Sequence, residues 1–101
     1  MSDTVSIETI LKTVSGEYQV TILDLRSDRR DRRVAAARRA GYWLARHLTR
    51  HSSPSIGRMF GNRDHTTVLY GVSRMDRMVE AGEPEGRRAL ALMSRLERAA
   101  S

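Results

Sequence analysis

Apolar side chains recur three and four residues apart from one end of this chain to the other, and no stretch alternates over the length of a strand. Ile7, Ile10, Leu11 and Val14 fall at i, i+3, i+4 and i+7, which predicts a first helix entered near Asp3-Thr4 and closed by Gly16. Thr21 to Asp24 reads as a capping box, with aspartate for the usual glutamate, opening a short helix that buries Ile22 and Leu25. Residues 27–33 form a charged loop. Val34, Ala37, Gly41, Leu44, Ala45 and Leu48 then line one stripe of a long helix over about 32–50. Ser53 and Pro54 read as N-cap and first position of a two-turn helix that buries Ile56 and Phe60. After a turn at Gly61-Asn62, Val68, Val72, Met75 and Val79 mark the inner face of a fifth helix, closed by Gly82. Pro84 opens a last helix with Ala89, Leu92, Met93 and Leu96 inward. The expected fold is all-α, a helical bundle, and 101 residues make one domain, 1–101, that buries roughly 65% of the surface of the unfolded chain.

Several function classes drop out early. There is no cysteine, hence no disulfide and no thiolate metal site. No apolar run approaches the roughly 20 residues of a membrane span, and the first residues lack the basic and apolar regions of a signal peptide. A cytoplasmic chain with no membrane partner is expected. No Gly-rich phosphate loop and no nucleophile pattern is present, so neither enzyme activity nor a bound nucleotide or other cofactor is expected. His47 and His51 have a metal-compatible i, i+4 spacing, but no third ligand accompanies them and a helix end favours cations anyway, so no metal is expected. Tyr18, Trp43, Met59, Met75 and Met93 read as core or boundary residues.

The charge is concentrated. Residues 1–25 carry Lys12 against Asp3, Glu8, Glu17 and Asp24, a net of −3. Residues 26–63 set eleven arginines against Asp28 and Asp31, a net of +9, and residues 64–101 balance six arginines against six acids. The +6 of the whole chain therefore comes from its middle third. Such a patch points to a polyanion, most simply nucleic acid.

The chemistry sits after the turn. Gly61-Asn62 separates a short apolar segment from Arg63-Asp64-His65-Thr66-Thr67-Val68, the layout of a helix-turn-helix whose second helix offers its first side chains to a major groove. Threonine brings a hydroxyl and a methyl suited to thymine, aspartate can accept from cytosine N4, and histidine can donate to a purine. Arg63 is placed for a phosphate. The plainer alternative makes Asp64 and Thr67 an N-cap pair and His65 a solvated side chain. The position beside the basic segment favours base reading.

Two further surfaces accompany the turn. Arg29, Arg30, Arg32 and Arg33 precede the long helix, where a basic loop can enter a minor groove or touch phosphates alone. Asp28 and Asp31 weaken its field or hold it through local ion pairs. Arg32, Arg39 and Arg46 recur every seven residues, with Arg50 one turn on, and read as a phosphate-tracking face.

The run at 61–68 resembles the signature of the C-terminal DNA-binding domain (domain IV) of the bacterial replication initiator DnaA, which usually reads Gly-Gly-Arg-Asp-His-Thr-Thr-Val. The similarity extends over about residues 4–97: Ile10 to Tyr18, Val20 to Leu25, the stretch 27–33, Leu44 to Leu48, Ser53 to Gly57, and Phe60-Gly61. It implies a Trp-repressor-like helix-turn-helix bundle that binds, as a monomer, an asymmetric nine-base-pair box of the TTATCCACA type in double-stranded DNA. It also implies Asp64, His65, Thr66 and Thr67 as readers of base edges and Arg30 as the minor-groove reader. Arg38, Arg46, Pro54 and Arg63 would hold the backbone or flank the box.

The chain departs from that pattern at Asn62, which replaces the second glycine of the turn but tolerates positive φ. Ala36-Ala37 stands for the usual Arg-Pro, Arg39 for a common glutamine and Asp28 for a common basic residue, which suggests an altered affinity or box preference. Because Met1 lies just ahead of the resemblance, a stand-alone regulator of replication initiation or transcription at the nucleoid is the expectation, with an excised domain as the other reading. An adaptor turned to protein contact, with the initiator or its regulators as partner, is the alternative of a different class.

Overall fold

The computed structural model describes residues 5–100, which form six helices in the order α1 (Ile7–Tyr18), α2 (Ile22–Arg26), α3 (Arg32–Leu48), α4 (Ser53–Met59), α5 (His65–Glu80) and α6 (Pro84–Ala100). No strand occurs among the described residues. α3 lies at the centre and packs against each of the other five helices. The stripe expected on it, Val34, Ala37, Gly41, Leu44, Ala45 and Leu48, is buried throughout. Ile10, Leu11 and Val14 of α1, Leu25 of α2, Ile56 of α4, Val68 and Met75 of α5, and Ala89 and Leu92 of α6 close around it.

The ends of the elements follow from capping. Asp3 and Thr4 lie outside the described residues, and α1 is entered through Ser6, whose hydroxyl accepts from the Thr9 amide at 3.1 Å. Gly16 does not close α1. The helix runs on to Tyr18, and Gln19 takes the left-handed conformation instead, because Tyr18 and Val20 both have core positions to fill. The capping box of α2 forms in both directions: the Asp24 amide donates to Thr21 Oγ1 at 2.9 Å, and the Thr21 amide to Asp24 Oδ2 at 3.0 Å. Arg32 and Arg33 already belong to α3, so the charged loop ends at Asp31. In α4 the cap is Ser52, one residue ahead of expectation, and Ser53 is a buried first residue followed by the proline. α5 ends in a Schellman motif, with the Gly82 amide on the Val79 carbonyl and the Glu83 amide on the Met78 carbonyl.

Polar ties fix the helices that flank α3. The Trp43 indole N–H donates to Asp76 of α5 at 2.8 Å, while the His47 ring lies 4.6 Å from the indole and 3.5 Å from the same carboxylate. His51 instead contacts Ser55 at 3.1 Å, so the two histidines look to different neighbours. On the opposite side Arg88 of α6 donates to Glu17 and covers the Tyr18 ring at 4.0 Å. No described helix is long and apolar enough to cross a membrane.

Candidate nucleic-acid interface

α4, the turn after it and α5 form the helix-turn-helix. Phe60 caps α4 with its ring fully buried, edge-on to Tyr42 of α3 at 4.9 Å. Gly61 follows with φ +89°, and a Cβ there would come within 2.2 Å of the Arg26 carbonyl oxygen. Only glycine satisfies both demands. Asn62 carries φ 62°, which asparagine accepts, so the departure from a second glycine leaves the turn intact. The chain then folds back onto α4, with the Arg63 amide donating to the Gly57 carbonyl at 2.8 Å.

α5 therefore begins at the molecular surface. Asp64, His65, Thr66 and Thr67 are all exposed, and Val68, the next residue, is fully buried and anchors the helix start. Asp64 is the N-cap: one carboxylate oxygen accepts from the Thr66 amide at 2.7 Å and from the Thr66 hydroxyl. These bonds, the hydroxyl one first, hold the Asp64 carboxyl below its ordinary range. The cap partner is thus Thr66 and not Thr67, whose side chain faces the cleft beside the helix. His65 Nδ1 lies 3.6 Å from Asp64, beyond hydrogen-bond distance.

The same face carries a concave surface of about 410 Å³ between the loop after α2, α3 and the first turns of α5. Arg30, Arg39, Arg63, Thr67, Tyr70 and Arg74 are among the residues that border it. Arg30 and Thr67 thus flank one cleft, although 37 positions separate them in the chain. Tyr70 and Arg74 are exposed on α5 and continue the face begun by Thr67. No motif singles out either residue in the sequence. Their spacing of three and four from Thr67 and Tyr70 was the available signal.

The five basic residues expected along the DNA backbone are placed differently from one another, and three of them turn into the fold. Arg32 and Arg46 are exposed on α3, and Pro54 is exposed at the start of α4. Arg38 is not on the surface: it is 7% exposed, and its guanidinium donates to the Leu25 carbonyl at 3.0 Å, the Asp24 carbonyl at 3.0 Å, and the Ser27 and Arg29 carbonyls. Four of its five N–H groups are thus spent inside the fold, because its position lies on the inner stripe, four residues after Val34 and three before Gly41. Burial, and then the charge of Arg63, lower its pKa, yet a guanidinium stays charged at neutral pH. Arg39 leaves the heptad row as well. It pairs with Glu85 in the first turn of α6 at 2.9 Å, which breaks the continuous basic face expected from Arg32 to Arg46. Arg63 turns its guanidinium onto the Ser27 carbonyl, with its Nε buried and unpartnered among the described residues. In the loop, Arg29 pairs with Asp24 at 3.1 Å and Asp31 at 3.0 Å, the local ion pairing anticipated for Asp31. No His, Cys, Asp or Glu cluster of three or more that could hold a metal occurs among the described residues.

The model of the family described as bacterial dnaA protein helix-turn-helix matches residues 7–75, from the first residue of α1 into α5. The chromosomal replication initiator protein DnaA of Caulobacter sp. (strain K31) is 49% identical over 72 residues, which cover 71% of this chain and 15% of that protein. Its counterpart in Magnetococcus marinus is 48% identical over 73 residues, 72% of this chain and 16% of that protein. The Gluconobacter oxydans counterpart is 45% identical over 76 residues, covering 75% and 16%. The chain thus spans about 15% of the length of these relatives. It belongs to the bacterial DnaA helix-turn-helix family and carries that family's DNA-binding module.

Proposed function

We propose that this chain reads a DnaA-box-like site in double-stranded DNA, with the amino end of α5 in the major groove. The observation that carries the reading is the surface position of Asp64, His65, Thr66 and Thr67 on a helix start anchored by buried Val68, with Arg30 across one cleft. In this arrangement the four side chains meet base edges, and Arg30 enters the neighbouring minor groove. Arg32, Arg46 and Pro54 lie along the flanking backbone, and Tyr70 and Arg74 extend the contact along α5. The first α5 amides not already capped offer donors to a phosphate.

Because the relatives are named as chromosomal replication initiators, the sites in question are those an initiator would use. On this reading the chain, a single domain in the cytoplasm at the nucleoid, regulates replication initiation or transcription by occupying such sites. The test is a gel shift on a duplex containing the box beside a scrambled duplex of equal length. Preferential binding to the box supports the proposal. Equal binding to both leaves only non-specific electrostatics, and no binding to either favours an adaptor that contacts the initiator or its regulators.

A further inference from the structure

Arg38 is the most deeply buried charged side chain described, and no carboxylate contacts it directly. Its fork meets four backbone carbonyls, those of Asp24, Leu25, Ser27 and Arg29, which run from the last turn of α2 into the basic loop. Carbonyls at the end of a short helix need donors, and a buried guanidinium needs acceptors, so each satisfies the other. The same segment is fastened to the helix-turn-helix from the other side. Arg63 donates to the Ser27 carbonyl, Arg26 Nε donates to the Met59 carbonyl at 3.1 Å, and Gly61 sits against the Arg26 carbonyl. Arg30 follows immediately after the last carbonyl that Arg38 holds.

We infer that Arg38 is a positioning residue for DNA reading: it fixes the loop that presents Arg30 in one geometry relative to the amino end of α5. The inference rests on the proposed function, since it assigns Arg38 a task in box recognition. Its physical content is preorganisation. A loop without regular backbone pairing gains a single shape from one side chain that ties two of its carbonyls to two in the last turn of α2, so Arg30 need not be ordered on binding. For a direct phosphate contact, the role the family resemblance implies, Arg38 has only one N–H of Nη1 left, since its other four N–H groups go to these carbonyls.

The test uses the full chain and the variant Arg38→Lys, which keeps the charge but loses the planar fork. Amide hydrogen exchange without DNA should speed up in residues 27–31 while α5 stays protected. Affinity for the box should fall by roughly 10- to 100-fold with little change on a scrambled duplex, and the salt slope should match that of the unmodified chain. In an Arg30→Ala background most of the Arg38→Lys loss should vanish, because the effect passes through Arg30. Equal losses on both duplexes would make Arg38 a backbone contact and overturn the inference. Unchanged exchange in 27–31 would overturn it too. If Arg38→Lys does not fold, the unmodified chain still decides: the Arg38 Nε–H should exchange slowly in free protein and keep its resonance when the box is added, and rapid exchange refutes the clamp. Should the unmodified chain show no box preference, the proposed function fails, and the exchange data still report on the loop.

Discussion

On the proposed function, Thr66 reconciles two tasks with one side chain. Its amide and hydroxyl both go to Asp64, so the methyl and the remaining hydroxyl lone pairs are what it can offer to a base. Thr66→Ala should cost about 1–3 kcal/mol on the box and almost nothing on random DNA. Titration of both duplexes checks this, and an equal loss on both would make Thr66 a backbone contact. The caps also set a pH limit. Asp64 and Asp24 both lie below their ordinary carboxyl value, Asp64 through the Thr66 hydroxyl and Asp24 through the Thr21 amide. A folded value below the unfolded one stabilises the fold above the unfolded value and loses that contribution as pH falls through the folded value. These two groups should therefore leave stability unchanged between pH 5 and 8 and withdraw it below about pH 4. Melting curves of Asp64→Asn and Asp24→Asn against pH should show a shallower acid limb than the parent chain.

At the scale of elements, the joint between α4 and α5 bears most of the burden. Phe60 fills the space between Tyr42 and a glycine of α3 so tightly that a Cβ on Gly41 would lie 2.6 Å from its ring. Phe60→Ala should destabilise the fold by about 3–5 kcal/mol, measured by urea denaturation. A loss under about 1 kcal/mol would mean that the ring is not the keystone of the joint. The helices and the turn were legible because their signals are local: apolar spacing, the Thr21 box, Gly61-Asn62, Gly82 and Pro84. The end of α1 was not, since the core positions of Tyr18 and Val20 override a glycine that could have stopped the helix. The cap of α4 slipped by one residue because Ser52 and Ser53 are adjacent and chemically equal. In the interface, exposure of 64–67 follows from Val68 lying on the inner face, a periodic fact. The fates of Arg38, Arg39 and Arg63 depend on carbonyls and a carboxylate 9 to 46 positions away, which no local pattern encodes.

At the scale of the molecule, the +6 charge resolves into arginines that bind the fold and arginines that face outward. Arg38 and Arg63 are engaged by carbonyls, and Arg39 and Arg88 by carboxylates, so the field available to a polyanion is smaller than the count suggests. Arg46 belongs to the outward group. Arg46→Ala should weaken every duplex alike and lower the log–log salt slope by about one. A sequence-dependent effect would remove it from the backbone group. The Arg39→Gln change offers a contrast: it removes an ion pair between α3 and α6, and should lower the melting temperature slightly while leaving the salt slope as it was.

Everything proposed for this chain depends on base reading by the exposed amino end of α5. The most direct measurement is the ratio of affinities for a duplex carrying the TTATCCACA-type box and a scrambled duplex, at one physiological salt concentration. A ratio of about 1,000 or more, falling sharply in Thr66→Ala, is the result predicted. A ratio near one, unmoved by that substitution, would contradict it.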